Sequence, residues 1–407
     1  MGPFGGQAWR GCRPLETVLL QGPPDAPRLW LVEKGRRRRR DADALVLAGE
    51  RARALGLRGV GWVAYEYGGL LETLPAPPGE PSTWPLLRLD FFAEQEALSP
   101  SGDEWAGVWG VPARRGGAPS PLRAESEPLS YRRGVERIRA WIRAGDCYQV
   151  NLVQAFEAGL PLTLAPALFA TLRELDGGPG GYRALLEGRG RALLSDSPEL
   201  FLARRGGRLW TQPIKGTAER FAFGSGVSHG ARNSKPDAAE WLLASEKDRA
   251  ELAMIVDLLR NDLSRVCRPG SVRVGPFPQL MRLPALVHTC ATVGGRLRPG
   301  VDLAACFRAA FPGGSVTGCP RLRAMERIAQ LEPGPRGPCF GAVGWLDPDG
   351  DFLFNVAIRT ALFEDGRLRL LAGGGITVDS TPAAEEAESR LKTATFATAL
   401  ERLAARV

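Results

Sequence analysis

FGAVGWLDPDGDFLFNVAIRTALFEDGRLRLLAGGGI, residues 340–376, reads as three strands, 340–346, 352–363 and 367–373, folded back on one another. Asp347-Pro-Asp-Gly350 and Glu364-Asp-Gly366 separate them. Asp-Gly pairs favour hairpin turns because both residues tolerate positive φ. Successive hairpins build an antiparallel sheet.

Further strands are expected at 15–33 and 58–70 (with turns between), 147–157, 191–204, 208–212, 271–275 and 286–297. Helices are expected at 41–56, 131–144, 236–263, 302–310, 320–330 and 382–404. The 131–144 helix carries Val135, Ile138, Trp141 and Ile142 at helical spacing and stops at Gly145. Hairpins mixed with helices, without βαβ alternation, indicate an α+β fold. A Pro-, Gly- and Ser-rich stretch from Leu98 to Pro128 reads as a surface connection between residues 1–127 and 128–407.

The chain has 407 residues and a formal net charge of +8. No apolar run reaches membrane-spanning length and no secretory leader opens the chain, so a cytoplasmic protein is expected. The seven cysteines form no CxxC pair, which fits neither a disulfide framework nor a zinc site. Lys34 to Arg40 (KGRRRRR) could mark a nucleic-acid-binding protein, but no nucleic-acid motif accompanies it, and a solvated arginine-rich loop is the plainer reading. Only five of the 53 basic residues are lysine: Lys34, Lys215, Lys235, Lys247 and Lys392. Where arginine serves every generic purpose, a lysine inside a motif points to chemistry that arginine cannot do, because only lysine yields a nucleophilic amine.

Asp248 and Glu251, and again Glu385 and Glu388, stand three residues apart on expected helices, so each pair shares a face. A solvated face explains either pair alone. Together, one carboxylate from each helix suits Mg²⁺, a hard cation that takes one or two protein carboxylates beside substrate oxygens and water. Ala372-Gly-Gly-Gly-Ile376 lets backbone approach a ligand closely, or forms a tight turn. Pro213-Ile-Lys-Gly-Thr217 sets Lys215 between a strand and a turn.

These pieces occur in a fixed order: Gly145-Asp-Cys-Tyr-Gln-Val-Asn-Leu152, Ser197-Pro-Glu-Leu-Phe201, PIKGT at 213–217, Asp248-Arg-Ala-Glu251 running to Leu263, FPGGSVTGCP at 311–320, Ala357-Ile-Arg-Thr360, AGGGI at 372–376, and Glu385-x-x-Glu-Ser-x-x-Lys392. The series resembles the chorismate-binding enzymes, among them anthranilate, aminodeoxychorismate, isochorismate and salicylate synthases, over about 130–400. The resemblance implies one interwoven α+β domain of two packed antiparallel sheets with helices outside. It implies chorismate and Mg²⁺, with Glu251 and Glu388 holding the metal and Asp248 and Glu385 supporting it. Arg359, Lys392 and the backbone of Gly373, Gly374 and Gly375 would bind the second carboxylate of the substrate, with Gly216 and Thr217 lining its ring. His288 would lie near the leaving C4 hydroxyl, with Glu199 as its acid or base.

Two positions separate the family's activities. Members that add water resemble one another in a lysine where this chain has Gln149, and an amide cannot activate water. Anthranilate synthases resemble PIAGT where this chain has Lys215. The resemblance to the aminodeoxychorismate synthases implies that Lys215 attacks C2, expels the C4 hydroxyl, and is displaced by ammonia at C4. A lysine ordinarily near pKa ~10.4 must lose its proton to do so. Anthranilate synthase component I is the alternative. Cys339, where anthranilate synthases have a tyrosine, weighs against it. Other departures are Arg321 for a usual lysine, Ala291 for a serine, and the Phe-Gly-Ser-Gly-Val-Ser-His segment after Arg220. No glutaminase segment is recognised, so ammonia would come from a separate glutamine amidotransferase subunit. No lyase segment follows Val407, so a separate enzyme would convert the product to p-aminobenzoate.

Overall fold

Two strands expected to be continuous are each broken in the middle, and both breaks fall at one place. In the computed structural model, 191–204 divides into Arg191–Ser197 and Leu200–Arg205, and 352–363 into Phe352–Val356 and Thr360–Glu364. The first and last of these four belong to a seven-stranded sheet, the middle two to an eleven-stranded one. Pro198 has no N–H to continue a ladder. Arg359 sits at φ 48°, a left-handed conformation uncommon outside glycine. The backbone stays satisfied through the gap: Asp196 N donates to Arg359 O at 2.9 Å and Val356 N to Glu199 O at 3.0 Å. Asn355 Nδ2 donates to Ser195 Oγ at 3.1 Å, and Ser195 Oγ lies 2.9 Å from Thr360 Oγ1.

The structure describes residues 8–11, 14–72, 74, 81–93, 95–98, 117–125, 127–175, 181–188, 190–219, 238–282 and 286–406. Most of the 98–128 connection and the segment after Arg220 lie outside them. The larger sheet runs Arg273–Val274, Val293–Arg296, Arg208–Gln212, Leu200–Arg205, Phe352–Val356, Ala342–Leu346, Gly59–Val63, Leu87–Phe91, Glu16–Gln21, Arg28–Glu33, Arg36–Arg40. The smaller follows Tyr182–Gly188, Arg191–Ser197, Thr360–Glu364, Arg367–Ile376, Gln149–Gly159 and Gly318–Cys319. The fold is thus α+β with two large antiparallel sheets. Phe201, Phe307, Phe311 and Phe354 meet with ring centroids 5.2–5.6 Å apart in the main core, which draws on both sheets. A second core packs helices Ala165–Leu175 and Ala394–Arg406 on the smaller sheet through Leu168, Phe363, Phe396 and Leu400.

Several expectations are corrected. The arginine run is no loop: Arg36–Arg40 is an exposed edge strand, where charge discourages pairing with other chains. The 58–70 strand ends at Val63, and Tyr67–Leu71 is a short helix. The 236–263 helix is two helices, Ala238–Ala244 and Glu246–Ser264. Ser245 between them has extended backbone, and its hydroxyl caps Asp248 N at 3.2 Å. The 382–404 helix breaks at Lys392-Thr393 into Pro382–Leu391 and Ala394–Arg406. The 286–297 strand is two, Leu286–Cys290 and Val293–Arg296. No helix among the described residues is long and apolar enough to cross a membrane.

Arg336, 2% exposed, ties these layers together. It donates to Val316 O at 2.8 Å, to Asn151 O at 2.9 Å, and to both Glu332 oxygens at 2.7 and 2.8 Å. Its guanidinium lies 4.4 Å over the Tyr65 ring. Arg336→Ala would leave the Glu332 carboxylate buried without its counter-charge. It is expected to cost about 3–5 kcal/mol in urea unfolding, and a loss below about 1 kcal/mol would contradict this account.

Candidate active site

The crossover between the sheets and the ends of two helices converge on one charged cleft. Three of the five lysines meet there. Lys215, on Ile214–Glu219, lies with Nζ 3.4 Å from Glu251 Oε2. Lys247, one helical turn before Glu251, lies 3.9 Å from its other oxygen. Lys392, at the end of Pro382–Leu391, lies 2.8 Å from Glu388 Oε1 and donates to Gly373 O at 2.8 Å. Lys34 stands apart in a surface turn, and Lys235 is outside the described residues.

The glycine motif lies within the strand Arg367–Ile376 rather than after it, and it is not a turn. One edge pairs throughout with Gln149–Gly159; the other loses its strand partner beyond Leu370. That leaves the Gly373 carbonyl for Lys392. A Cβ on Gly374 would lie 2.9 Å from Glu385 Oε2, and one on Gly375 would lie 2.2 Å from Gln149 Nε2 and 3.4 Å from Lys215 Nζ. Both side chains must be absent for the two carboxylates, the amide and the lysine to approach.

Glu199, in the crossover, is 4% exposed and accepts a 2.6 Å hydrogen bond from Ser315 Oγ. Burial pushes its carboxyl up to about 7, against the pull of Ser315 and of the Lys215 and Lys392 charges. Burial also raises Glu385, opposed by a 2.6 Å hydrogen bond from Ser380 Oγ. Partial burial pushes Glu388 up, but Lys392, with Lys247 and Lys215, more than offsets it and holds it below the usual range.

Gly216 has φ 63°, and a Cβ there would lie 3.1 Å from Asp248 Oδ2. His288 is buried, pairs in register with Thr217, and sets Nδ1 3.3 Å from Gly216 O. Thr289 Oγ1 donates to Lys215 O. The cleft thus brings together Lys215, Glu199, Glu251, Glu385, Glu388, Lys392, Asp248, Gly216, Gly374 and Gly375, with Gly373 and His288 bonded at its margin. Arg359 adjoins it in the crossover. Its guanidinium makes no hydrogen bond or ion pair among the described residues, so it has capacity for an anion.

Four contributors escaped the sequence reading. Ser315 lies inside the FPGGSVTGCP motif, which does not by itself single it out. Ser380 carried no signal. Lys247 belonged to the scarce lysines already marked. Gln149 was marked only for what it excludes, yet it is fully buried, and neither its Nε2 nor its Oε1 has a partner among the described residues. Conversely, Arg321 keeps its charge for a structural purpose, pairing with buried Asp262.

No three His, Cys, Asp or Glu side chains among the described residues form a closed metal site. The donor set nonetheless fits a divalent cation. Four carboxyl groups, Asp248, Glu251, Glu385 and Glu388, face three lysines, and such a cation would offset the surplus. It would suit Mg²⁺, which is content with two protein carboxylates.

A family model described as chorismate binding enzyme matches residues 26–398. An aminodeoxychorismate synthase component 1 from Bacillus subtilis (strain 168) is 38% identical over 67% of this chain and 55% of its own length. An anthranilate synthase component 1 from Streptomyces coelicolor is 40% identical over 66% of this chain and 50% of its own. The chain therefore spans about half the length of these curated relatives. The crystal structure of anthranilate synthase component I from Streptococcus pneumoniae TIGR4 superposes with a TM-score of 0.76 at 25% identity, covering 96% of this chain and 92% of that one. A family match over 26–398, on a fold that gathers the motif residues into one cleft, carries a single conclusion: the chain belongs to the chorismate-binding enzymes.

Proposed function

We propose that this protein aminates chorismate at C4 to 4-amino-4-deoxychorismate, the first step toward p-aminobenzoate and folate. The observation that carries this reading is Lys215, which faces Glu251 and Gly375 in the charged cleft. Lys215 Nζ attacks ring C2, the ring double bonds shift, and the C4 hydroxyl leaves as water with a proton from Glu199. Ammonia then adds at C4 and Lys215 leaves C2, so the enzyme is regenerated and pyruvate is retained. An ammonium has no lone pair, so Lys215 leaves its ion pair with Glu251 and gives up one proton to solvent before attack.

Glu251 and Glu388 would hold Mg²⁺, with Asp248 and Glu385 supporting them. The metal, when bound, supplies positive charge to the ring carboxylate of the substrate. Arg359, Lys392 and the backbone of Gly373–Gly375 receive the other carboxylate, and Arg359 suits this through bidentate pairing. Gly216 and Thr217 line the ring, with His288 behind Gly216. The relatives' "component 1" names support a partner, read here as a glutamine amidotransferase subunit that delivers ammonia in the cytoplasm. Residues 1–127 and 128–407 act as one interwoven catalytic unit. The pairing of Gly59–Val63 with Ala342–Leu346 supports this.

Anthranilate synthase is the second reading, favoured by the 40% identity to the Streptomyces coelicolor relative. Product analysis separates the two. With chorismate, Mg²⁺ and ammonium chloride, the parent should yield aminodeoxychorismate, and Lys215→Ala should lose at least about a hundredfold of the rate. Anthranilate and pyruvate from the parent would instead establish the second reading.

Two further outcomes are expected. Glu199 donates only while protonated, so kcat/KM should fall as pH rises through about 7. Glu199→Gln should lose that limb and about a hundredfold or more of rate; an unchanged pH profile would remove Glu199 from proton transfer. Chelation of divalent cations should abolish turnover and Mg²⁺ should restore it, with Glu388→Gln raising the Mg²⁺ concentration required. Full activity in chelator would refute the metal assignment.

A further inference from the structure

Where the paired strands Arg208–Gln212 and Val293–Arg296 of the larger sheet bring Arg208 opposite Arg296, a cavity of about 540 Å³ is lined by Arg204, Arg208, Arg268, Arg296 and Arg298, with no carboxylate among its lining residues. An arginine-rich composition could decorate any surface, and several arginines elsewhere meet carboxylates. Arg51 meets Glu16 at 2.6 Å, Arg132 meets Glu386 at 2.7 Å, and even the edge strand contributes an Arg38–Glu33 pair at 3.6 Å. Arg208, Arg268 and Arg296 have no side-chain acceptor among the described residues.

Arg208 and Arg296 stand directly opposite each other across antiparallel strands. Like charges at directly opposed positions destabilise a sheet, so nothing in the fold itself favours this pairing. Arg204 adds a second sign. Its Nη1 donates to Val301 O at 3.3 Å and it lies 3.9 Å from Asp351, yet its Nε is buried without a hydrogen-bond partner. Several guanidinium forks around one cavity match a ligand with several anionic oxygens, because each fork binds two oxygens at once.

A second cavity of about 370 Å³ adjoins the first, sharing Arg204, Gly300 and Val301. It is lined by Leu45, Val46, Leu303 and Leu346, beside Asp302 and Asp349. Those two carboxylates are engaged locally: Asp302 caps Ala305 N at 2.8 Å, and Asp349 accepts from Asp351 N at 3.0 Å. The combined groove is cationic at one end, whereas the other mixes these apolar residues with Arg53, Asp302 and Asp349.

We propose that this groove is a binding site for a phosphate-bearing anion, separate from the catalytic cleft. The arginines hold the phosphate oxygens and the adjoining cavity holds an organic body such as a nucleobase. The arginine strands Arg208–Gln212 and Val293–Arg296 continue into those carrying Lys215 and His288. From Arg208 to Lys215 is at most roughly 24 Å of extended chain.

The test is calorimetric titration and thermal unfolding of the full chain at about 0.15 M salt, with pyrophosphate and with ADP. Saturable binding is expected, with at least a tenfold loss of affinity in Arg208→Ser/Arg296→Ser. The same double variant should unfold at a higher temperature than the parent without ligand, because the opposed charges are gone. This melting shift also verifies that it folds. ADP binding tenfold tighter than pyrophosphate identifies the adjoining cavity as part of the site, and equal affinities assign the site to phosphate oxygens alone. No saturable binding of either probe, or binding unchanged in the double variant, overturns the proposal.

Discussion

Two neighbouring strands leave one sheet and enter the other side by side, and the rest of the molecule is arranged around that crossing. A break in a ladder exposes backbone polar groups that must find partners when buried. Here the two breaks satisfy each other, Asp196 N with Arg359 O and Val356 N with Glu199 O. Because the bonds are mutual, neither strand can cross alone. The crossing also sets Glu199 and Arg359 in positions that an unbroken ladder would have turned into ordinary strand residues. Glu199 is thereby buried against Ser315, and Arg359 is held at φ 48°. Backbone strain of this kind persists only where surrounding structure over-determines it, and it concentrates at functional sites.

Around the crossing, charge rather than shape organises the cleft. Two helix ends deliver carboxylates, and three lysines lie among them. The glycine strand allows this density, since any side chain at Gly374 or Gly375 would fill the space where the charged groups approach. Burial and neighbouring ammonium groups then divide chemically similar carboxyls. Glu199 rises to about 7 by burial, whereas Glu388 is held low by Lys392. Two carboxyls a short distance apart thus suit opposite tasks, one keeping its proton and one keeping its charge.

Arginine use shows the complementary economy. Arg336 and Arg321 are buried counter-charges, joining Glu332 and Asp262 to backbone carbonyls. Arginine suits this because its fork satisfies several acceptors and never loses its charge. Three of the four described lysines stand in the cleft, where an amine can give up its proton as arginine cannot.

What the sequence determined by itself was local and chemical. Hairpin turns at Asp-Gly pairs, helix periodicity and the scarcity of lysine were all legible, because each depends on a residue's own conformational or acid–base properties. The ordered motifs pointed to residues of the cleft by a different route, through their resemblance to the chorismate-binding enzymes. Only the tertiary structure decided which of them meet. Periodicity could not reveal that 191–204 and 352–363 each change sheets, since both halves of each strand remain apolar and buried. Nor could it reveal that Ser315 serves Glu199, that Gln149 lies buried against Gly375, or that Ser245 divides a helix. Those facts depend on partners distant in the chain, and a sequence records its own preferences but not which neighbour will satisfy them.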